Sequence, residues 1–305
     1  MLVIRVRVGA RFIAPGKEVF MGVRKPDFAG SWYPGTEHEC REAIEDFSNA
    51  CVKCPPIGEG VLGGIVPHAG WFYSGRVAFN VIKCIKEGSS PDMFVIFGRH
   101  LYPGSGNFIM GEGSWATPLG ELEIAGDLAE RLTSEFRFTI ETPSRHEQDN
   151  TIELQLPFIK YLFPDVKILP VGVPPVVNSI RIGERVAEIA EEIGYKTAVI
   201  GSTDLTHYGY NYGYTPKGTG KAAVDWVKNE NDKKMVDLML SMEPEKIITE
   251  SLMNANACCS GAVAAAVAAA KKMGAVKGER LIYTTSYDVR PDSSFVGYVG
   301  VIFHK

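Results

Sequence analysis

The sequence has no excess of either charge. Its 36 Asp and Glu stand against 32 Lys and Arg, for a formal net charge of −4. That balance gives no pull toward nucleic acid or an anionic membrane surface, so a small molecule or another protein is the expected partner. Long apolar runs are also missing, and none reaches the roughly 18 residues needed to span a bilayer. Cysteine is sparse, with six residues at 40, 51, 54, 84, 258 and 259. That count does not suggest a secreted disulfide framework and points to the cytoplasm. Cys51-Val52-Lys53-Cys54 is a single CxxC. It has no second pair for a zinc ribbon and no strand-to-helix setting, so it reads as structural or incidental, with a local disulfide as the alternative. There is no internal repeat and no Pro-, Gly- or Ser-rich linker, and the one biased stretch is the alanine-rich 261–270. A single domain follows. Residues 1–20 alternate apolar residues with Arg but lack the continuous apolar core and cleavage site of a signal peptide. Met21-Gly22 offers an alternative start, so 1–20 is expected to be an extension of a domain spanning 21–305.

What is present is an alternation of short apolar runs with longer helical patterns. Strands are expected over 63–66, 93–97, 166–173, 197–200, 281–285 and 295–303. Helices are expected over 75–86, from Asn150 through Leu162, over 179–193 with Gly194 as the stop, over 220–240 and over 261–273. Such alternation predicts an α/β fold with a largely parallel or mixed central sheet and helices on both faces.

The histidines carry the functional signal. His68 follows the first apolar run through Pro67, and His100 follows the second through Gly98-Arg99. The strand over 197–200 empties into Gly201-Ser202-Thr203-Asp204, with His207 three residues further on. In open α/β sheets the ligand crevice lies outside the carboxyl ends of the strands, so three strands deliver these side chains to one edge. A lone histidine after a strand is ordinarily structural; three of them flanked by turn-formers point to a site. Cys258 precedes the alanine-rich helix, where a helix N-terminus would favour a thiolate. A buried small residue is the plain alternative.

At these residues the chain resembles the Memo family (mediator of ErbB-driven cell motility), whose prokaryotic members include protein B of the AmmeMemoRadiSam system. The resemblance rests on Ala29-Gly30-Ser31-Trp32-Tyr33, Pro67-His68-Ala69-Gly70 and Thr151-Ile152-Glu153-Leu154-Gln155-Leu156-Pro157. It continues through Ser202-Thr203-Asp204-Leu205-Thr206-His207, Cys258 ahead of Ser260-Gly261, and the stretch from Asp292 to Gly300. It implies a fold similar to class III extradiol dioxygenases, which use non-haem Fe(II). It also implies metal ligation by His68, His100 and Cys258, with Asp204 and His207 beside the pocket. Three departures stand out. Gly98-Arg99-His100 is one residue shorter than the family's usual Gly-Pro-Asn/Ser-His. Asn150 replaces a pocket histidine, with His146 nearby as a stand-in. Cys259 occupies a position that is usually glycine.

The expected function is a non-haem metal pocket with oxidoreductase or dioxygenase-like activity on a small molecule. Fe(II) is the first choice of metal, with Cu or Zn as alternatives. His68, His100 and Cys258 are the expected ligands, and His207, oriented by Asp204, the acid–base group. A thiolate in the carboxylate's place argues against ordinary ring cleavage but not against metal binding. Two other readings stay open. In one, Cys258 is the nucleophile of a transferase or hydrolase. In the other, the chain is an adaptor with a vestigial, metal-free site. A radical-SAM protein is the partner the resemblance implies.

Overall fold

A computed structural model describes residues 22–56 and 60–305. The expected extension over 1–20 and the alternative start at Met21 lie outside the described residues.

Four apolar segments form the centre of a nine-stranded mixed sheet. Val61–Val66, Thr197–Ser202, Met93–Gly98 and Lys167–Gly172 lie side by side, all parallel. Phe295–His304 runs antiparallel against Val61–Val66, and Lys277–Thr285 pairs antiparallel with Phe295–His304. At the other end Asn107–Met110 adds antiparallel to Lys167–Gly172, with Phe138–Glu141 beyond it. Val23–Arg24, Ser114–Thr117 and Gly120–Glu123 make a separate three-stranded sheet.

The central strands are apolar at successive positions because both faces are covered. Along Met93–Gly98, Met93, Val95 and Phe97 join one core cluster while Phe94 and Ile96 join the other. The first core is built on the helices Val177–Ile193 and Ser260–Lys272, the second on Trp71–Gly88 and Leu156–Leu162. The alanine-rich helix is buried from Ser260 to Ala270. Its small side chains let it approach Val177–Ile193 so closely that a Cβ at Gly183 would lie 2.2 Å from the Ala265 carbonyl oxygen.

Several expected elements are revised. The helix expected over 75–86 begins earlier, at Trp71, whose ring stacks on Phe158 at 4.1 Å and whose indole N–H donates to the Leu154 carbonyl. The helix expected from Asn150 through Leu162 divides into Asn150–Glu153 and Leu156–Leu162, because Pro157 has no N–H to continue the ladder. Gly194 does end Val177–Ile193, with φ +97°. The span over 220–240 is helical from Lys221 to Leu240 but includes a π turn at Val227–Asn231, and a further helix, Pro244–Asn254, follows it. Cys54 is not bridged to Cys51. It forms a disulfide with Cys84 of the Trp71–Gly88 helix, and Cys51 is a free thiol. Among the described residues no helix is long and apolar enough to cross a membrane.

Candidate metal centre

The parallel strands end at one edge, and their exits place the polar groups. His68, 1% exposed, follows Val61–Val66. Its backbone N–H donates to Asp204 Oδ1 at 2.8 Å, and its Nδ1 lies 2.9 Å from Ser202 Oγ. Ser202 has a single hydroxyl proton, and it is committed to the Thr151 carbonyl at 2.6 Å. Ser202 Oγ must therefore accept from His68, which assigns the proton to Nδ1 and turns Nε2 toward the Cys258 sulfur, 3.2 Å away.

His100 reaches the same place by an unusual turn. Gly98 lies against Thr151, where a Cβ would come within 2.2 Å of Thr151 Oγ1. Arg99 then adopts φ +76°, a left-handed conformation that costs a non-glycine residue roughly 1–2 kcal/mol. It is held there by its N–H, which donates to Thr151 Oγ1 at 2.7 Å. Its guanidinium lies 3.2 Å from both Glu141 and Glu147 and sits over the Phe108 ring. His100 stands edge-on to His68, with ring centroids 4.8 Å apart.

Cys258 and Cys259 enter from the turn before the helix Ser260–Lys272. The Cys258 amide donates to the Asp204 carbonyl, and the Asp204 amide donates to Cys258 Sγ at 3.3 Å. The Cys259 amide donates to Thr203 Oγ1. These bonds tie two distant turns together. Cys259 Sγ makes no helix cap. Instead it lies 3.7 Å from Cys258 Sγ and 3.5 Å from His100 Nδ1. One donor atom from each of His68, His100, Cys258 and Cys259 lies within 4.8 Å of all the others. Cys259 belongs to the site as fully as Cys258. The resemblance marked it only as a departure from the glycine that the family pattern implies.

Burial opposes charge throughout, yet the cluster ionises Cys258. Burial alone would raise its pKa, but the Cys259 thiol's hydrogen bond, the charge of His68 and hydrogen bonds from both histidines hold it well below the usual thiol range. Cys259 moves the other way, pushed well up by burial and by its anionic neighbour. Burial lowers the His68 pKa, but Asp204 and Cys258 overcome this and raise it to about 9. Burial raises the Asp204 pKa, offset in part by His68. The result is a thiolate–imidazolium pair in which the loss of one proton, from His68 Nε2, frees two soft donors together.

The expected Asp204–His207 pairing takes a different form. Asp204 is turned to His68, while His207 Nδ1 is held by the Leu205 carbonyl at 3.2 Å, so Leu205 orients it. A carbonyl can only accept, which leaves Nε2 as the basic nitrogen of His207. Tyr212 packs edge-on against this ring at 5.0 Å. Asn150 donates to the His68 carbonyl. His146 is not its stand-in, because it pairs with Asp27 and the Thr142 carbonyl.

His68, His100, Asn150, Asp204, His207 and Arg290 are among the walls of a cavity of about 770 Å³; Cys258 and Cys259 lie behind the two histidines and do not line it. Trp32 also lines it, carried on a turn whose amides at Asp27 and Phe28 donate to the buried Glu153 carboxylate, which also accepts from Tyr33 Oη. A cavity of similar volume, about 830 Å³, opens beside Val61, Lys86 and Lys196, at the start of the parallel strands, and holds none of these histidines or cysteines.

The family model described as Memo-like protein matches residues 24–302. A MEMO1 family protein of Pyrococcus furiosus is 33% identical over 294 residues, covering 93% of this chain and 99% of its own length. Another from Nitrosopumilus maritimus is 33% identical over 294 residues, covering 92% and 99%. Among solved structures, an uncharacterized protein from Escherichia coli shares 9% identity over 73% of this chain and 91% of its own, with a TM-score of 0.49, too slight a likeness to bear on the fold.

Proposed function

This chain belongs to the Memo family, and from that footing we propose that it binds a transition metal through His68, His100 and Cys258 and uses it on a small molecule in the cavity. The observation that carries this reading is the convergence of nitrogen and sulfur donors within 4.8 Å at the end of a parallel sheet. The donor set fits such an ion, since imidazole and thiolate together suit Fe, Cu and Zn. Fe(II) is the metal proposed first, Cu second. When bound, a redox metal would supply electron transfer to the cavity's occupant.

The protein's own groups supply the rest. Ser202 fixes the His68 ring so that Nε2 faces inward, and Asn150 and Asp204 anchor the His68 backbone. His207 Nε2 accepts or returns a proton, the ring being held by Leu205 and Tyr212. The thiolate takes the place of the carboxylate of the usual facial triad, and this directs the proposal toward oxidation of a small aromatic or polar molecule rather than ring cleavage. Metal content after anaerobic purification tests the reading. We expect bound metal in the wild type and its loss in His68→Ala; background levels in both would refute it.

A second reading has its own support. Cys258 Sγ lies 3.2 Å from His68 Nε2 and is held as a thiolate, the arrangement of an activated nucleophile. Fast alkylation of Cys258 in metal-free protein, slowed by His68→Ala, would favour this reading. A thiol that stays inert from about pH 6 to 9 would dismiss it.

A further inference from the structure

We propose that Cys259 is a fourth ligand, closing the site into a tetrahedral two-histidine, two-cysteine set that takes zinc(II). The proposal rests on the metal-binding reading above and keeps its three ligands; with Cys259 added, the preferred ion becomes redox-inert zinc(II) in place of Fe(II). The argument is geometric. With metal–sulfur bonds of about 2.3 Å and metal–nitrogen bonds of about 2.0–2.1 Å, a tetrahedron has edges of about 3.8 Å between sulfurs and about 3.5 Å between sulfur and nitrogen. The structure gives 3.7 Å from Cys258 Sγ to Cys259 Sγ, 3.5 Å from Cys259 Sγ to His100 Nδ1 and 3.2 Å from Cys258 Sγ to His68 Nε2. No remaining edge exceeds 4.8 Å, and His100, the exposed member, is free to close them.

The surroundings hold the two sulfurs to this arrangement. Both cysteines are free thiols, and their amides are tied to Asp204 and Thr203. Cys259 stands at the N-cap of the helix Ser260–Lys272, where a serine would cap the first turn, yet its sulfur faces the cluster. Tetrahedral sulfur–nitrogen sets of this composition select zinc over Fe(II) or Cu(II), which favour other geometries. With four protein ligands in place, a molecule in the cavity reaches the ion only by displacing one of them, and Cys259 is the ligand that a glycine at this position would remove.

Cobalt(II) substitution under a phosphine reductant tests this, because sulfur-to-cobalt charge transfer scales with the number of bound thiolates. We expect full-length wild type to show tetrahedral cobalt bands. In Cys259→Ser and Cys259→Gly the charge-transfer intensity should fall by about half. Zinc affinity should fall by more than the roughly 10- to 100-fold typical of losing a partner that merely orients a ligand. Unchanged intensity and affinity in both variants would overturn the fourth-ligand proposal and leave the three-ligand site standing. No cobalt or zinc binding by the wild type would overturn the metal reading itself. If both variants fail to fold, maleimide labelling of the wild type decides. Zinc protection of Cys258 and Cys259 together supports the proposal, and protection of Cys258 alone overturns it.

Discussion

Removal of the Ser202 hydroxyl tests whether one side chain sets the chemistry of His68. Ser202 is fully buried, accepts from His68 Nδ1 at 2.9 Å and donates to the Thr151 carbonyl at 2.6 Å. Ser202→Ala therefore strands the His68 Nδ1–H and leaves the Thr151 carbonyl only the long 3.5 Å bond from Gln155 Nε2. One unsatisfied buried group costs about 1–3 kcal/mol, so a stability loss of at least about 1–3 kcal/mol is expected unless water enters. The second effect falls on function. Freed from Ser202, the His68 ring loses its fixed tautomer and orientation, and the loss of such a partner weakens metal binding by roughly 10- to 100-fold, about 1.4–2.7 kcal/mol. Urea unfolding of metal-free protein measures the first effect, and competition against a chromophoric zinc chelator at constant pH measures the second. A folded Ser202→Ala protein that binds zinc as tightly as wild type would refute the claim that this hydroxyl orients His68.

Further predictions concern the frame around the site. Asp232 is fully buried, accepts from the Thr206 amide and from Tyr283 Oη, and has its pKa raised by burial from 3.8 to about 6. Between about pH 4 and 6 the folded state keeps a proton that the unfolded chain has released, so stability falls as pH rises, by up to about 3 kcal/mol in all. Asp232→Asn should flatten that part of the pH–stability profile in urea titrations; an unchanged slope would count against the assignment. The Cys54–Cys84 bridge spans 30 residues, and Cys84→Ser should cost about 3–4 kcal/mol by the loop-entropy relation, read from the same titrations against oxidised wild type. Glu153→Ala removes the acceptor for Asp27 N–H, Phe28 N–H and Tyr33 Oη. A loss of at least about 3 kcal/mol and altered fluorescence of Trp32 are expected. His207→Ala should leave zinc affinity unchanged, because its ring is held by Leu205 and lies outside the donor cluster. Weakened binding in the competition assay would place His207 among the ligands instead.

The sequence by itself determined the sheet and the edge at which chemistry gathers. Runs such as Met93–Gly98 are apolar at consecutive positions, which only a strand covered on both faces requires, and parallel strands must release their next residues at a common edge. His68, His100 and Asp204 were therefore legible in advance, and Cys258 was legible from its place before the helix. Short outer strands such as Asn107–Met110 and Phe138–Glu141 carry too few residues to show a period. The helix Pro244–Asn254 ends at Ala255 in a left-handed conformation without the glycine that would have announced it. The tertiary structure decided what each polar atom faces. Asp204 serves His68 rather than His207, Ser202 sets the imidazole tautomer, Cys54 bridges to Cys84, and Cys259 turns its sulfur into the cluster. Each of these partners lies 30 to 159 residues away or sits across a turn whose path other residues fix, as Arg99 fixes that of His100. Local periodicity reports which side of an element is buried. Only the folded chain determines which atoms meet there.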